Sequence, residues 1–445
     1  MTQQTVTPTS TRKFRLILRE GGSAREMGGD VSAVGVQIVD KIFSEALDAG
    51  ASDIHLQPER TSTRIRLRID GQMHQLGNFS NEHASAVLAR IKLAASMHID
   101  ERRMAQDGRI DMEYSTRRFS ARVSILPSLN GEKVVMRLLD PASVRIDIAQ
   151  LGMPADIQKN WLNAIKTPYG MIIVTGPTGS GKTSTLYASI NQLDRQRRNI
   201  VTVEDPIEYE FQDNITQVQV TDKMTFPKVM RSFLRQDPDV MMVGEMRDPE
   251  SLHIGIQASL TGHLVMSTLH TNNALETLGR MIDMGGEPYL IASTVVCILA
   301  QRLVRVICPD CREPYKPTPD EIFALGLTPA QAAGSTFFHG KGCNLCRSTG
   351  FKGRVGVFEL LMNSQRMREL ITRNATMGEL QKAAKSQGLK TMLEDGLDKV
   401  VRGVTTPSEV IHAVFTSAGI DIPEQEDVSA EADVEEPEAE ADSEE

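Results

Sequence analysis

Apolar residues along this chain follow two rhythms, and the change from one to the other marks out the first elements. Val36, Val39, Ile42, Phe43, Ala46 and Leu47 recur every three or four positions, the spacing that lines one face of a helix, and Gly50 supplies its stop. The period then falls to two: Ile65, Leu67 and Ile69 alternate with Arg64, Arg66 and Arg68, and Asp70-Gly71 gives a turn signal. A second helix is predicted over about residues 84–97, and further strands around Phe119, Ala121, Val123 and Ile125 and over 134–139. This mixture predicts an N-terminal α+β domain over 31–140. Residues 1–30 are polar, with Gly21-Gly22 and Gly28-Gly29, and read as a flexible leader.

A linker over 141–168, bearing Pro141, Pro154 and Pro168, leads to a different pattern. Short unbroken apolar runs, Met171 to Val174 and then 200–203, 240–243 and 264–267, alternate with helical stretches. Strands buried on both faces read this way, so residues 169–307 are predicted to form an α/β unit with a mainly parallel sheet under helices. Four cysteines mark a module over 308–358, helices are expected over 359–420, and Cys297 falls in an apolar stretch read as helical. No repeat of solenoid spacing is present.

At 445 residues the chain exceeds a single core, and 40% hydrophobic with 24% charged residues fits a globular protein. No apolar stretch approaches the ~20 residues of a membrane span, and the polar start has no apolar signal segment, so a cytoplasmic location is expected. The formal charge of −9 hides an asymmetry. Residues 421–445 hold 13 Asp and Glu and no Lys or Arg, leaving 45 acids against 49 bases over 1–420. The body is thus mildly basic. The segment 421–445, without aromatics, is expected to be disordered and to serve solubility rather than a dedicated binding role.

Residues 176–183, Gly-Pro-Thr-Gly-Ser-Gly-Lys-Thr, match the P-loop pattern G-x-x-x-x-G-K-[ST] completely, entered from a strand and opening a helix. Gly176, Gly179 and Gly181 with Pro177, Thr178 and Ser180 form the phosphate-binding turn, Gly179 and Gly181 letting consecutive N–H groups face the phosphates. Lys182 reaches the β- and γ-phosphates, and the Thr183 hydroxyl is the expected Mg²⁺ ligand. ATP chemistry also needs acids near the γ-phosphate, one for the metal and one for the attacking water. Glu204 ends the run 200–203 and Glu245 follows 240–243. A lone strand-end acid is usually just solvated, but two of them downstream of a P-loop favour function. Which acid takes which role stays open. His263 and His270 bracket the run 264–269, each either a packing residue or a reporter of phosphate state.

Cys308-x-x-Cys311 and Cys343-x-x-Cys346 form two thiolate pairs suited to tetrahedral Zn²⁺, with redox chemistry as the second reading. The 31 residues between the pairs exceed the common template of ~15 to 20 and would form a subdomain on the metal base.

In this order the motifs resemble the secretion ATPases that drive type II secretion and type IV pilus assembly, the GspE/PilB kind. The resemblance covers roughly residues 35–418. It rests on Ala51-Ser52-Asp53-Ile54-His55, the P-loop, the acidic box at Glu204 and Glu208, Val243-Gly244-Glu245-Met246-Arg247-Asp248, the histidines at 263 and 270, and the four cysteines. It implies a PAS-like N-terminal domain hinged to a RecA-like ATPase domain, with ATP between the lobes, assembled as a homohexamer. Arg122 and Arg137 match arginines that the first domain of such proteins sends toward the phosphates; from the residues alone both read as solvated strand-face charges. The implied partners are an inner-membrane platform protein and a membrane-anchored recruiting protein, placing the chain peripherally at the inner membrane. The cysteine module points to an assembly motor rather than a retraction motor. Family members usually carry a further N-terminal domain, where this sequence has about 30 polar residues before the first shared helix. A RecA-like motor moving DNA is the alternative, but the body is only weakly basic and its strands lack a base-stacking aromatic set, so no nucleic-acid partner is expected.

Overall fold

A computed structural model describes residues 14–20, 23–26, 33–140, 147–211 and 214–415. The first sheet has eight strands, all pairs antiparallel, in the order Ser23–Glu26, Phe14–Glu20, Gln106–Tyr114, Arg117–Ser128, Gly131–Leu139, Asp53–Pro58, Ser62–Ile69, Gln72–Ser80. Alternation decides its faces. Ile54, Leu56, Ile65, Leu67, Ala121, Val123, Val134 and Met136 point to a core shared with the helices Val34–Asp48 and Ala84–Ala94. The opposite face carries the arginines that alternate with them.

The second sheet has seven strands, ordered Ile215–Gln219, Ile200–Glu204, Val240–Val243, Leu264–Leu269, Gly170–Thr175, Val295–Ile307, Phe351–Met362. All are parallel except the last, which runs antiparallel to Val295–Ile307. Its inner strands are buried along their whole length, as unbroken apolar runs require. A two-stranded ribbon, Arg312–Tyr315 with Phe337–Gly340, belongs to the cysteine module. Four helices follow, Gln365–Thr372, Met377–Ser386, Met392–Val401 and Pro407–Phe415, the first three opened by Ser364, Thr376 and Thr391 side chains that accept backbone N–H groups.

Four details differ from the sequence reading. Phe14–Glu20, inside the expected leader, is a strand paired to Gln106–Tyr114, because Phe14 and Leu16 complete the first core and Phe14 stacks on Phe43. Within the expected linker, Ala155–Ala164 is a helix whose Trp161 is fully buried and donates Nε1–H to Ser189 Oγ at 2.9 Å. Cys297 lies in the strand Val295–Ile307, not a helix: pairing with Gly170–Thr175 overrides local propensity. Phe351–Met362 crosses the expected module edge at residue 358 and returns the chain to the main sheet. The segment 421–445 lies outside the described residues. No helix among the described residues is long and apolar enough to cross a membrane.

Candidate active site

The site is set by register. Val203 pairs with Val243, Val243 with Ser267 and Ser267 with Ile173, so four parallel strands end together at one edge. Glu204, the last residue of its strand, and Glu245, His270 and the loop 176–181, just past the ends of theirs, are thereby brought to one crevice, as expected at the carboxyl edge of an open α/β sheet.

Gly170–Thr175 feeds the loop, and Lys182–Asn191 starts at its far end with Gly181 as N-cap at φ 88°. At Gly176, φ is 148° and a Cβ would lie 2.5 Å from the Gln301 carbonyl oxygen, so only glycine fits. Pro177, Thr178 and Gly179 are exposed on the crest of the loop and Thr183 is exposed at the helix start, while Ser180 is buried and its Oγ has no hydrogen-bond partner. The helix start, the exposed crest and this unsatisfied hydroxyl fit an oxyanion ligand such as a nucleotide phosphate. Lys182 is buried, and Nζ donates to the carbonyls of Gly176 at 2.8 Å and Pro177 at 3.0 Å. Burial pushes its ammonium down to about 8, with Glu245 opposing that shift and Arg302 adding to it.

Gln301, which the sequence reading missed, braces this loop. Its Nε2 donates to the Ser180 carbonyl at 2.7 Å and its Oε1 accepts from Thr185 Oγ1 at 2.8 Å. Only the pairing of Val295–Ile307 beside Gly170–Thr175 brings it there. Thr175 and Thr271, also missed, join the loop strand to the segment after His270 through hydroxyls 2.7 Å apart.

Glu204 is buried and accepts hydrogen bonds from Tyr187 Oη, from Thr202 Oγ1 at 2.6 Å and from Gln217 Nε2 at 3.0 Å. Desolvation still raises its pKa, outweighing the three donors. Glu245 is more open and lies against Arg247 and His270, the latter with Nε2 at 3.5 Å. His270 is held below its usual pKa by burial and by Lys182, with Glu245 opposing. Glu245 and His270 therefore belong to one electrostatic unit with Lys182, while Glu204 is set by its own donors and Glu208. His263 does not. It precedes Leu264–Leu269, at the far edge of the sheet, where Nδ1 contacts the Ala258 carbonyl at 2.9 Å and its own carbonyl accepts from Gly170 N–H. A strand separates the two histidines, so the structure brings His270 and not His263 to the crevice.

Arg122 reaches across from the first sheet. Its Nη2 donates to the Ile207 carbonyl at 2.5 Å and Nη1 lies 3.6 Å from Glu208, in the acidic box after Ile200–Glu204. Arg137, paired in register with Arg122, instead donates Nε–H to Asp53 Oδ1 at 3.1 Å within its own sheet.

The cysteines meet as predicted. All four Sγ atoms lie within 4.8 Å of one another, with Cys308 to Cys343 at 3.8 Å, Cys311 to Cys346 at 3.8 Å and Cys343 to Cys346 at 3.7 Å. Tetrahedral thiolate ligation at about 2.3 Å sets sulfurs about 3.8 Å apart, so the donor set fits zinc. Burial works to raise the Cys346 thiol, but the N–H groups of Cys343 and Gly350 outweigh it and bring it down to about 6, toward the thiolate a metal needs.

A family profile described as "Type II/IV secretion system protein" matches residues 30–412. The chain belongs to this family. It is 46% identical over 378 residues to the type II secretion system protein E of Pseudomonas aeruginosa, covering 84% of this chain and 74% of that protein. To the type IV pilus assembly ATPase PilB of Myxococcus xanthus it is 42% identical over 380 residues, covering 84% and 67%. Among solved structures, the pilus retraction motor PilT with bound ADP aligns at a TM-score of 0.54 and 27% identity, covering 80% of this chain and 95% of that one. As a member of the family, the chain is an ATP hydrolase.

Proposed function

We infer that this family member is the ATPase motor of a type II secretion or type IV pilus assembly machine, using hydrolysis to drive assembly of a pseudopilus or pilus. The observation that carries this reading is Arg122 on the acidic box, which joins the two lobes beside the ATP crevice. The lobes comprise the first domain to residue 140 and the RecA-like unit from 169, with the cysteine module and the C-terminal helices on the second.

In this reading the loop 176–181 and Lys182 hold the phosphates, and Thr183 and one of the two acids would hold Mg²⁺, which would neutralise charge on the phosphates. The other acid orients the attacking water. Tyr187, Thr202 and Gln217 fix the Glu204 carboxylate, so it meets the substrate without reorganising. His270, in contact with Glu245 and in the field of Lys182, senses the phosphate charge. Arg122 and Arg137 add cations from the first domain, and release of phosphate loosens that contact, so hydrolysis opens and closes the lobes. Cys308, Cys311, Cys343 and Cys346 would hold a structural zinc ion, which would stabilise the fold of the module. The motor works as a homohexamer beneath an inner-membrane platform protein, held there by a membrane-anchored recruiting protein, on the cytoplasmic side. The DNA-motor alternative is not favoured, since the relatives are named for secretion and pilus assembly.

The test is genetic and biochemical. Deleting the gene abolishes either secretion of folded exoproteins or surface pili, the wild-type chain restores it and Lys182→Ala does not. The purified chain with a non-hydrolysable ATP analogue runs at six times the chain mass in light scattering. Normal secretion and piliation in the deletion strain would refute the assignment.

A further inference from the structure

The face of the first sheet turned away from its helices is a basic surface. Cross-strand register places Arg109, Arg122, Arg137, Asp53 and Arg68 in one row, four arginines interrupted by a single acid. Arg64 and Arg66 continue it along Ser62–Ile69, and Lys133 pairs in register with the exposed Leu126 on the same face. Arg64 pairs with Glu59, Arg109 with Asp111, and Arg68 and Arg137 with Asp53, yet their side chains keep 40 to 57% exposure and bases outnumber acids on the face. Both helices cover the opposite face, and Arg122 alone among these residues is engaged by the ATPase lobe.

The same chain carries a segment of opposite sign: residues 421–445 hold 13 acids and no bases. Its root lies near one end of that sheet, on the side its helices cover. The last described helix, Pro407–Phe415, is tied to Arg305 by Glu409, with Nη2 and the carboxylate 2.5 Å apart. Arg305 lines a cleft with Leu67, Ile69 and Asp70, at the end of the strand that bears Arg64, Arg66 and Arg68. From Phe415 the 30 residues 416–445 have a contour of about 100 Å, ample to lie along the sheet.

We propose that the acidic segment 421–445 docks on the open basic face of the first sheet of its own chain. Tethering keeps its local concentration high, so modest charge attraction suffices to hold it there. The contact is electrostatic and screened by salt. The segment thereby does more than confer solubility: it shields arginines in the row that includes Arg122 and Arg137.

The experiment uses the full chain with the photoreactive residue p-benzoylphenylalanine in place of Leu126, irradiated at about 50 mM salt and mapped by mass spectrometry. The expected product joins position 126 to a peptide from 416–445 in protein of single-chain mass. At about 500 mM salt, where the Debye length shrinks to about 4 Å, the yield falls at least tenfold. It falls similarly when the 13 acids are replaced by Asn and Gln, and in Arg64→Glu/Arg66→Glu with an unchanged circular dichroism spectrum. No product from 416–445 at low salt, a yield indifferent to salt or to the acid replacements, or a product of twice the chain mass each overturns the proposal.

Discussion

Arg122 and Ile207 stand 85 residues apart and on different sheets, yet the Arg122 guanidinium donates to the Ile207 carbonyl at 2.5 Å. Burial lowers the Arg122 pKa and Glu208 opposes that shift, so the side chain is held as a cation against the acidic box. Arg122→Ala is expected to lower ATP turnover on the order of 100-fold. Stability should change by no more than about 1 kcal/mol, since the ion pair is partly solvated. Turnover measured beside denaturant unfolding separates the two effects, and unchanged turnover would remove Arg122 from the site.

Lys182 carries a pH prediction. Its folded-state pKa of about 8 lies below the ordinary 10.5, so burial penalises the ammonium form. That penalty is present in full below pH 8 and is lifted as pH rises from 8 toward 10.5, so this group destabilises the folded state less over that window. Phosphate charge restores the ammonium, so ATP binding at pH 8 takes up roughly half a proton. Calorimetry in buffers of different ionisation enthalpy reads the uptake. Lys182→Ala should abolish both the uptake and hydrolysis.

Tyr187 is expected to tune Glu204. Its hydroxyl donates to the Glu204 carboxylate and favours the ionised form. Tyr187→Phe removes that donor, costs about 1–3 kcal/mol of stability and raises the Glu204 pKa further. The acid limb of the turnover profile then moves to higher pH. Glu204→Gln should bind nucleotide while losing most turnover; a profile unmoved by Tyr187→Phe places the titrating group elsewhere.

The cysteine module should hold one zinc per chain. Cys308→Ser or Cys346→Ser loses it and loosens the ribbon Arg312–Tyr315 with Phe337–Gly340, read by metal analysis and hydrogen exchange. Cys297, fully buried, has its thiol pushed well above the usual range by burial and lies in the main sheet. Cys297→Ala therefore keeps the metal and costs about 1–2 kcal/mol. Full folding of the metal-free protein, with exchange in the ribbon unchanged, would leave zinc without a structural role.

The sequence by itself determined whatever depends on local order along the chain. Apolar runs fixed the inner parallel strands, the P-loop spelled its own turn, and two Cys-x-x-Cys pairs announced a four-sulfur site because each pair makes its own knuckle. Glu204 and Glu245 were legible because a strand end is a local feature. Tertiary structure decided the rest. His263 and His270 look alike in sequence, yet the register of one parallel strand sends them to opposite edges of the sheet. Gln301, Tyr187 and Thr271 carry no sequence signal, since each acts only on a residue that pairing or packing brings beside it. Phe14 and Trp161 sat in stretches rich in polar residues, proline or glycine, and their burial follows from cores completed by distant segments. Arg122 and Arg137 are adjacent rungs of one ladder, but only Arg122 meets the acidic box, because the placement of one lobe against the other is a long-range property that no local pattern encodes.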